Sequence, residues 1–256
     1  MNKRIMTGLF VISLVAGTSV MGILVLNQLQ EDNTISLTLL ENAGLMIETK
    51  GLRIYVDPYN LRENWTYSAD AVLITHPHGD HYDANSINQI STEETTIVMP
   101  ENMSTQIDTW SAAAINPGDS VQIGEINVTA FYSYTLPVDG WPASHPREAN
   151  YCSYIIDIDG FTIFHAGDSK VIPEYEQIAE QIDVVCLPLG PGCQTMTGME
   201  IIDAINTLEA QYYIPIHYQN IYDVISFLNT YDTQLEEASI TSICLDNYES
   251  YEFTIG

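Results

Sequence analysis

Apolar and polar residues alternate in short runs through the first half of the chain, the period of strands rather than of helices. Ile35–Leu39, Leu45–Glu48, Leu52–Val56, Ala71–Thr75 and a longer run from Val121 to Phe131 read as strands. Asn42 to Gly44, Lys50-Gly51 and Asn116-Pro-Gly-Asp119 supply turn chemistry between them. Asp83 to Ile90 predicts a short helix. In the second half strands alternate with helices. Tyr154–Ile158 and Phe161–Phe164 flank Asp159-Gly160, a hairpin-turn dipeptide, and Tyr212–Ile216 is a further strand. Ile172, Tyr175, Ile178 and Ile182 recur at helical spacing. Met199, Ile202, Ile205 and Leu208 do so again, behind the capping box Thr197-x-x-Glu200. These stripes read as core-packing faces. Strand-rich halves that each finish with helices suit two sheets packed face to face and covered outside by helices, an α/β (α+β) sandwich of four layers. No internal repeat, low-complexity segment or second domain interrupts the pattern.

The N-terminus stands apart. Lys3 and Arg4 precede an uncharged stretch from Ile5 to Leu26, 22 residues long, enough to cross a hydrocarbon core of about 30 Å at about 1.5 Å per residue. A secretory signal has a shorter apolar region, about 7–15 residues, and the small residues Ala16-Gly17-Thr18-Ser19 lie in mid-segment. The expectation is a cytoplasmic stub over residues 1–4, a transmembrane anchor over 5–26, a linker over 27–33 and one soluble domain over 34–256. A cleaved signal, which would leave the domain secreted, is the alternative. Basic residues before the stretch and Glu31-Asp32 after it place the domain on the outer face of the membrane.

Charge changes the list of partners. Thirty-four acidic residues face seven basic ones, a formal net charge of −27 with only 16% charged residues, so the anomaly lies in missing Lys and Arg. Such a surface lacks the cationic term that supplies nucleic-acid affinity, and no nucleic acid is expected. The acidity itself reads as a device for solubility. Cys152, Cys186, Cys193 and Cys244 form no Cys-x-x-Cys pair, and Cys186, in the apolar run Asp183–Pro188, reads as a buried core thiol. Asn64-Trp-Thr66, Asn102-Met-Ser104 and Asn127-Val-Thr129 are glycosylation sequons that matter only for an exported domain.

The chemistry is concentrated in His76-Pro-His78-Gly-Asp80-His81, which directly follows the Ala71–Thr75 strand. Three of the chain's six histidines fall within six residues, with a carboxylate among them. Imidazole and carboxylate together suit zinc, iron or manganese, and ligands just past a strand end are rigidly held yet free to converge.

This motif resembles the signature of the metallo-β-lactamase superfamily. The rest of the chain is similar to its lactonase and phosphodiesterase branch, which includes ascorbate-6-phosphate lactonase and small metal-dependent hydrolases. Gly44–Gly51 with Leu52–Pro58 matches the opening hairpin and Asp-Pro turn. Phe161–Ser169 matches the His-Ala-Gly-Asp segment, and Thr195-Met196 and Ile214-Pro-Ile-His217-Tyr218 match the last two blocks. The resemblance implies the αββα sandwich and two divalent ions, zinc first, with manganese or iron as the other candidates. It implies one ion held by His76, His78 and a third histidine, and the other by Asp80, His81 and a fourth. His145, which precedes the strand Tyr151–Ile158, occupies the third place, and His217 the fourth. Asp168 is the implied bridge, with Gly167 letting the backbone approach closely. His165 reads either as pointing to the opposite face or as supporting the ligands from behind. Asp57 reads either as the aspartate that orients the motif loop or as an ordinary Asp-Pro turn.

The implied reaction is attack by a metal-activated water on a carbonyl or phosphoryl centre of a small ester, lactone or phosphodiester. Asp80 would be both ligand and catalytic proton acceptor. Trp141, Arg147 and Tyr218 flank ligand positions and either shape the substrate pocket or are loop packing, Arg147 being the group to hold an anion. The competing reading is a membrane-anchored metal-binding sensor or interaction module without turnover. Flavodiiron-type oxidoreductases carry Glu where this chain has His78 and need a flavin domain for which there is no room.

Overall fold

Strands covered on both faces lose the simple alternation of burial, and Cys152–Ile158, buried at five of its seven positions, shows which architecture the chain adopts. The computed structural model describes residues 33–190 and 192–255. The expected stub, anchor and linker, up to residue 32, lie outside the described residues. Among the described residues no helix is long and apolar enough to cross a membrane.

In chain order the strands and helices are β1 Thr34–Leu39, β2 Leu45–Thr49, β3 Leu52–Val56, β4 Ala71–Leu73, α1 Ala84–Ile90, β5 Thr96–Pro100, α2 Ser104–Trp110, β6 Ala113–Ile115, β7 Ser120–Ile123, β8 Ile126–Tyr132, β9 Cys152–Ile158 and β10 Phe161–His165. They continue with β11 Val184–Pro188, α3 Gly198–Leu208, β12 Tyr212–Ile216, α4 Ile221–Thr230, α5 Asp232–Glu237, β13 Thr241–Ser242 and β14 Ser250–Thr254. Two seven-stranded sheets result, ordered β14-β1-β2-β3-β4-β5-β6 and β13-β12-β11-β10-β9-β8-β7. Each is antiparallel on one side and parallel on the other, the change falling at β3–β4 and at β10–β11.

Period two along the strands sorts side chains into layers. Ile35, Leu37, Ile47, Ile54, Leu73, Val128, Tyr154, Ile156, Cys186 and Ile214 fill the space between the sheets. Met46, Tyr55, Val72 and Met99 face outward from the first sheet against Ile87 and Ile90 of α1. Phe164, Val185, Leu187 and Tyr213 face outward from the second, against Ile201, Ile205 and Leu208 of α3 and Phe227 of α4. The expected four-layer αββα sandwich follows, and Cys186 is buried as expected.

Local differences have local causes. Val121–Phe131 is a hairpin rather than one strand, because Gly124 turns back at φ +56° between β7 and β8. The Ile172–Ile182 stripe holds only a 3₁₀ segment, Pro173–Ile178, opened by its proline. Spacings of three satisfy that tighter turn as well as an α-helix. In α3 the capping box is present as expected, but the buried face runs through Ile201, Ile202, Ala204, Ile205 and Leu208, leaving Met199 exposed.

One buried hydrogen bond ties the sheets together beneath the histidine motif: the Tyr154 hydroxyl of β9 donates to the Ile74 carbonyl at 2.7 Å. Tyr154→Phe leaves that carbonyl without this donor, and the expected cost is about 1–3 kcal/mol. Urea unfolding should show the midpoint falling with an unchanged slope; an unchanged midpoint would rule out this tie as a stabilising contact.

Candidate metal centre

Parallel strands deliver their C-terminal ends to one edge of a sheet, and here both sheets deliver them to one place. Leu73 of β4 runs into His76, His165 of β10 into Asp168, and Ile216 of β12 into His217. The sharp exits use left-handed backbone: Gly167 has φ +56° and His217 φ +57°. At Gly167 a Cβ would lie 3.1 Å from that of Thr75, so the bend and the close approach both require glycine.

The candidate ligand atoms form two groups. Those of His76, His78, His145 and Asp168 lie within 4.8 Å of one another, and so do those of Asp80, His81 and His217. Asp168 stands between them. Its carboxylate is 3.9 Å from His76 Nε2 and 3.6 Å from His145 Nε2 on one side. On the other it is 3.1 Å from His81 Nε2 and 3.4 Å from His217 Nε2. Asp80 Oδ2 is 3.6 Å from His217 Nε2. His145 Nε2 and His78 Nδ1 face each other at 3.1 Å, a separation at which two ring nitrogens share a proton or a cation.

Three of the imidazoles are fixed from behind. His81 Nδ1 donates to Asp57 Oδ2 at 2.7 Å. His76 Nδ1 contacts the Thr75 hydroxyl at 2.9 Å, and His145 Nδ1 the Ser144 hydroxyl at 3.0 Å. Committing Nδ1 to a hydrogen bond leaves the Nε2 lone pair pointing into the centre. The Thr75 hydroxyl in turn donates to Asp57 at 2.6 Å, and the Thr75 amide does so at 2.8 Å. Asn42 anchors the other rim: its side chain donates to Asp80, and its carbonyl accepts from the His217 amide at 2.9 Å.

Burial and crowding set the protonation states. Burial first, and then the neighbouring imidazoles, hold His76 well below its ordinary value. Burial pushes His145 down to about 4 against the pull of Asp168. Contact with His217, then the charge of His81, holds Asp80 well below the carboxylate range. Burial alone would raise Asp168, but His81, His217 and His145 outweigh it and hold it low. His81 is pushed down by burial yet ends well above its ordinary value, because Asp168 and Asp57 flank it. Neutral His76 and His145 and ionised carboxylates are the forms that ligate a divalent ion, and the raised His81 shows how strongly its site attracts positive charge.

The donor set fits such an ion on a separate count. His76 Nε2, His81 Nε2, His217 Nε2 and both Asp168 oxygens are buried without a hydrogen-bond partner, half of all such side-chain atoms among the described residues.

Other residues singled out in the sequence fall around the centre. His165 is fully committed, Nε2 to the Ala43 carbonyl at 2.7 Å and Nδ1 to the Gly167 amide at 3.2 Å, so it shapes the turn into Asp168. Tyr218 lines a cavity of about 790 Å³ beside His217, with Asn42, Leu189, Phe227 and Tyr231, and donates its hydroxyl to the Leu245 carbonyl. Trp141 is 73% exposed on its loop. Arg147 pairs with Glu174 at 2.7 Å and lies over the Tyr132 ring. Asn42, Thr75 and Ser144 are site residues that the sequence does not single out; Thr75 and Ser144 adjoin candidate ligands, and Asn42 carries no local signal.

A family model for a beta-lactamase superfamily domain matches residues 36–217. A UPF0173 metal-dependent hydrolase of Nanoarchaeum equitans is 29% identical over 219 residues, covering 82% of this chain and 96% of that protein. A UPF0173 protein of Pyrococcus abyssi is 27% identical over 181 residues, 69% of this chain and 80% of that one. Igni18, described as a metallo hydrolase of Ignicoccus hospitalis, superposes with a TM-score of 0.69 at 19% identity, covering 87% of this chain and all of that one, a likeness of fold. The chain belongs to the beta-lactamase superfamily.

Asp57 accepts from three donors, so an amide there would turn two of its own hydrogens toward donors. Asp57→Asn should weaken divalent-ion binding by about 10–100-fold, measured by competition against a chromogenic chelator. Unchanged affinity would show that Asp57 does not orient His81.

Proposed function

We propose that this member of the beta-lactamase superfamily is a metal-dependent hydrolase of a small ester, lactone or phosphodiester, working with two divalent ions, zinc first. In this reading His76, His78, His145 and Asp168 hold one ion, and Asp80, His81, His217 and Asp168 hold the other. The observation that carries it is the convergence of five buried lone-pair atoms, on His76, His81, His217 and Asp168, that have no hydrogen-bond partner. A buried polar group without a partner costs about 1–3 kcal/mol, and bound cations would offset that cost here.

When bound, the ions polarise the scissile bond and lower the pKa of a water from about 16 to about 7. Asp80 would carry the proton only transiently, its low pKa favouring release: its side chain is 38% exposed, and Asn42 holds the carboxylate in place. It accepts the proton that the attacking water gives up and returns it to the leaving oxygen, so water adds across the broken C–O or P–O bond. The cavity beside His217 takes the apolar part of the substrate on Leu189, Phe227 and Tyr231. Among the described residues every Lys and Arg is paired with a carboxylate, Lys50 with Asp159 and Glu125, Arg53 with Glu48, Arg62 with Glu41, Arg147 with Glu174 and Lys170 with Glu200. No side-chain cation among the described residues faces the centre without a carboxylate partner, which favours uncharged esters and lactones over phosphodiesters. The uncharged run of residues 5–26 supports display of the domain on the outer face of a membrane.

Elemental analysis of the full-length protein should find about two equivalents of zinc, manganese or iron, and Asp168→Ala about one or fewer, as loss of a shared carboxylate requires. Chelation should abolish hydrolysis of uncharged ester and lactone probes, and added zinc should restore it. One equivalent or none, unchanged in the variant, would break the two-ion assignment.

A further inference from the structure

Beside the ligand set lies a thiol that none of the expected roles uses. Cys193 Sγ, a carboxylate oxygen of Asp168 and a ring nitrogen of His217 all lie within 4.8 Å of one another. The thiol is free and exposed. Asp168 is fully buried beside His81, and neither of its oxygens nor His217 Nε2 has a hydrogen-bond partner. The neighbouring Gly192 runs alongside: a Cβ there would stand 3.8 Å from His217 Cε1.

The backbone that presents the thiol is held in an unfavourable shape. Cys193 at φ +51° and Gln194 at φ +60° are consecutive left-handed residues, neither of them glycine, a conformation that persists only where the surroundings over-determine it. Here they do. The Ser144 hydroxyl donates to the Cys193 carbonyl. The Gln194 side chain accepts from the Ser144 amide at 2.8 Å and donates to the Pro142 carbonyl at 3.1 Å. The Thr195 hydroxyl contacts the carbonyls of Gly190 and Gly192. Ser144 is the same residue whose hydroxyl orients His145, so one side chain positions a candidate ligand on one side of the centre and the thiol on the other.

We propose that Cys193 is a thiolate ligand of the ion position built on Asp168 and His217, giving that position a mixed nitrogen, oxygen and sulfur donor set. The inference rests on the metal-dependent reading above and extends it. On binding, the thiol exchanges its proton for the divalent ion, and the proton leaves to solvent, with no change in oxidation state. A thiolate is a soft donor that favours zinc, whereas an all-oxygen and imidazole set accommodates manganese as well. Cys193 therefore biases the centre toward zinc.

Cobalt(II) is the probe, because sulfur ligation to it gives a near-ultraviolet charge-transfer band that nitrogen and oxygen ligation does not. Full-length protein loaded with cobalt should show this band; Cys193→Ser should lose it, and Cys244→Ser, altered at the other exposed cysteine, should keep it. A band that survives in Cys193→Ser, or is missing from a wild-type protein that has bound cobalt, overturns the proposal. Wild-type protein that takes up no cobalt overturns the metal reading and this one together, and measured uptake tells the two failures apart. A second readout needs no variant: bound zinc should slow alkylation of Cys193 relative to chelator-treated protein, with Cys244 as internal reference. Equal protection of both thiols, or of neither, counts against ligation.

Discussion

Burying a carboxylate that no Lys or Arg neutralises costs several kcal/mol unless hydrogen bonds replace its water, and the whole centre is arranged around one such group. Asp57 is fully buried and takes the Thr75 amide, the Thr75 hydroxyl and the His81 ring N–H. It sits just past β3, and its own amide donates to Leu73 of β4 at 2.9 Å. Satisfying this one carboxylate therefore fixes the first sheet at the change from antiparallel to parallel pairing, the start of the histidine motif and the tautomer of His81. Thr75 relays the constraint to His76, and its side chain forces glycine at position 167, where the second sheet turns into Asp168. A residue outside the proposed ligand set thus determines the geometry of ligands from both sheets.

What the sequence made legible was whatever a short stretch of chain carries by itself. His76 to His81 lie on one loop after one strand, so four candidate ligands could be read together. The αββα layering followed from strand periods and from the capping box before α3. The unread elements lack such local marks. Thr96–Pro100 ends in proline. The helix from Ile221 buries only Val224 and Phe227 and is capped by Asn220 with Asp223, in place of the Ser/Thr and Glu pattern. β13 and β14 are edge strands whose partners lie far away in sequence. Asn42 read as a turn residue because its bonds to Asp80 and His217 span 38 residues and more. Cys193 is unmarked for a related reason. Its two neighbours in the centre are 24 or more positions away, and Gly190-Pro191-Gly192 before it marks a turn without saying what the turn presents.

Charge acts on a longer scale than these contacts. With the described cations all bound to carboxylates, the net charge of −27 is left to the surface as a diffuse negative field. Such a field repels anions at a distance and concentrates divalent cations near the protein, an effect that salt screens beyond about 8–10 Å. The same acidity thus favours loading of a centre made of clustered imidazoles and ionised carboxylates.

The pairing of β14 with β1 orders events in time. Thr34–Leu39 is among the first of the described strands to be made, yet one of its edges is covered only by Ser250–Thr254. Every proposed metal ligand, from His76 to His217, has been synthesised before that strand exists. A chain whose last strand has not yet docked therefore carries a complete set of metal-seeking side chains on a sheet with an open edge, the state in which strand edges recruit wrong partners. An ion captured at that stage would bring together the ends of β4, β10 and β12 from both sheets. The native layering would then be held while the last strand is still awaited.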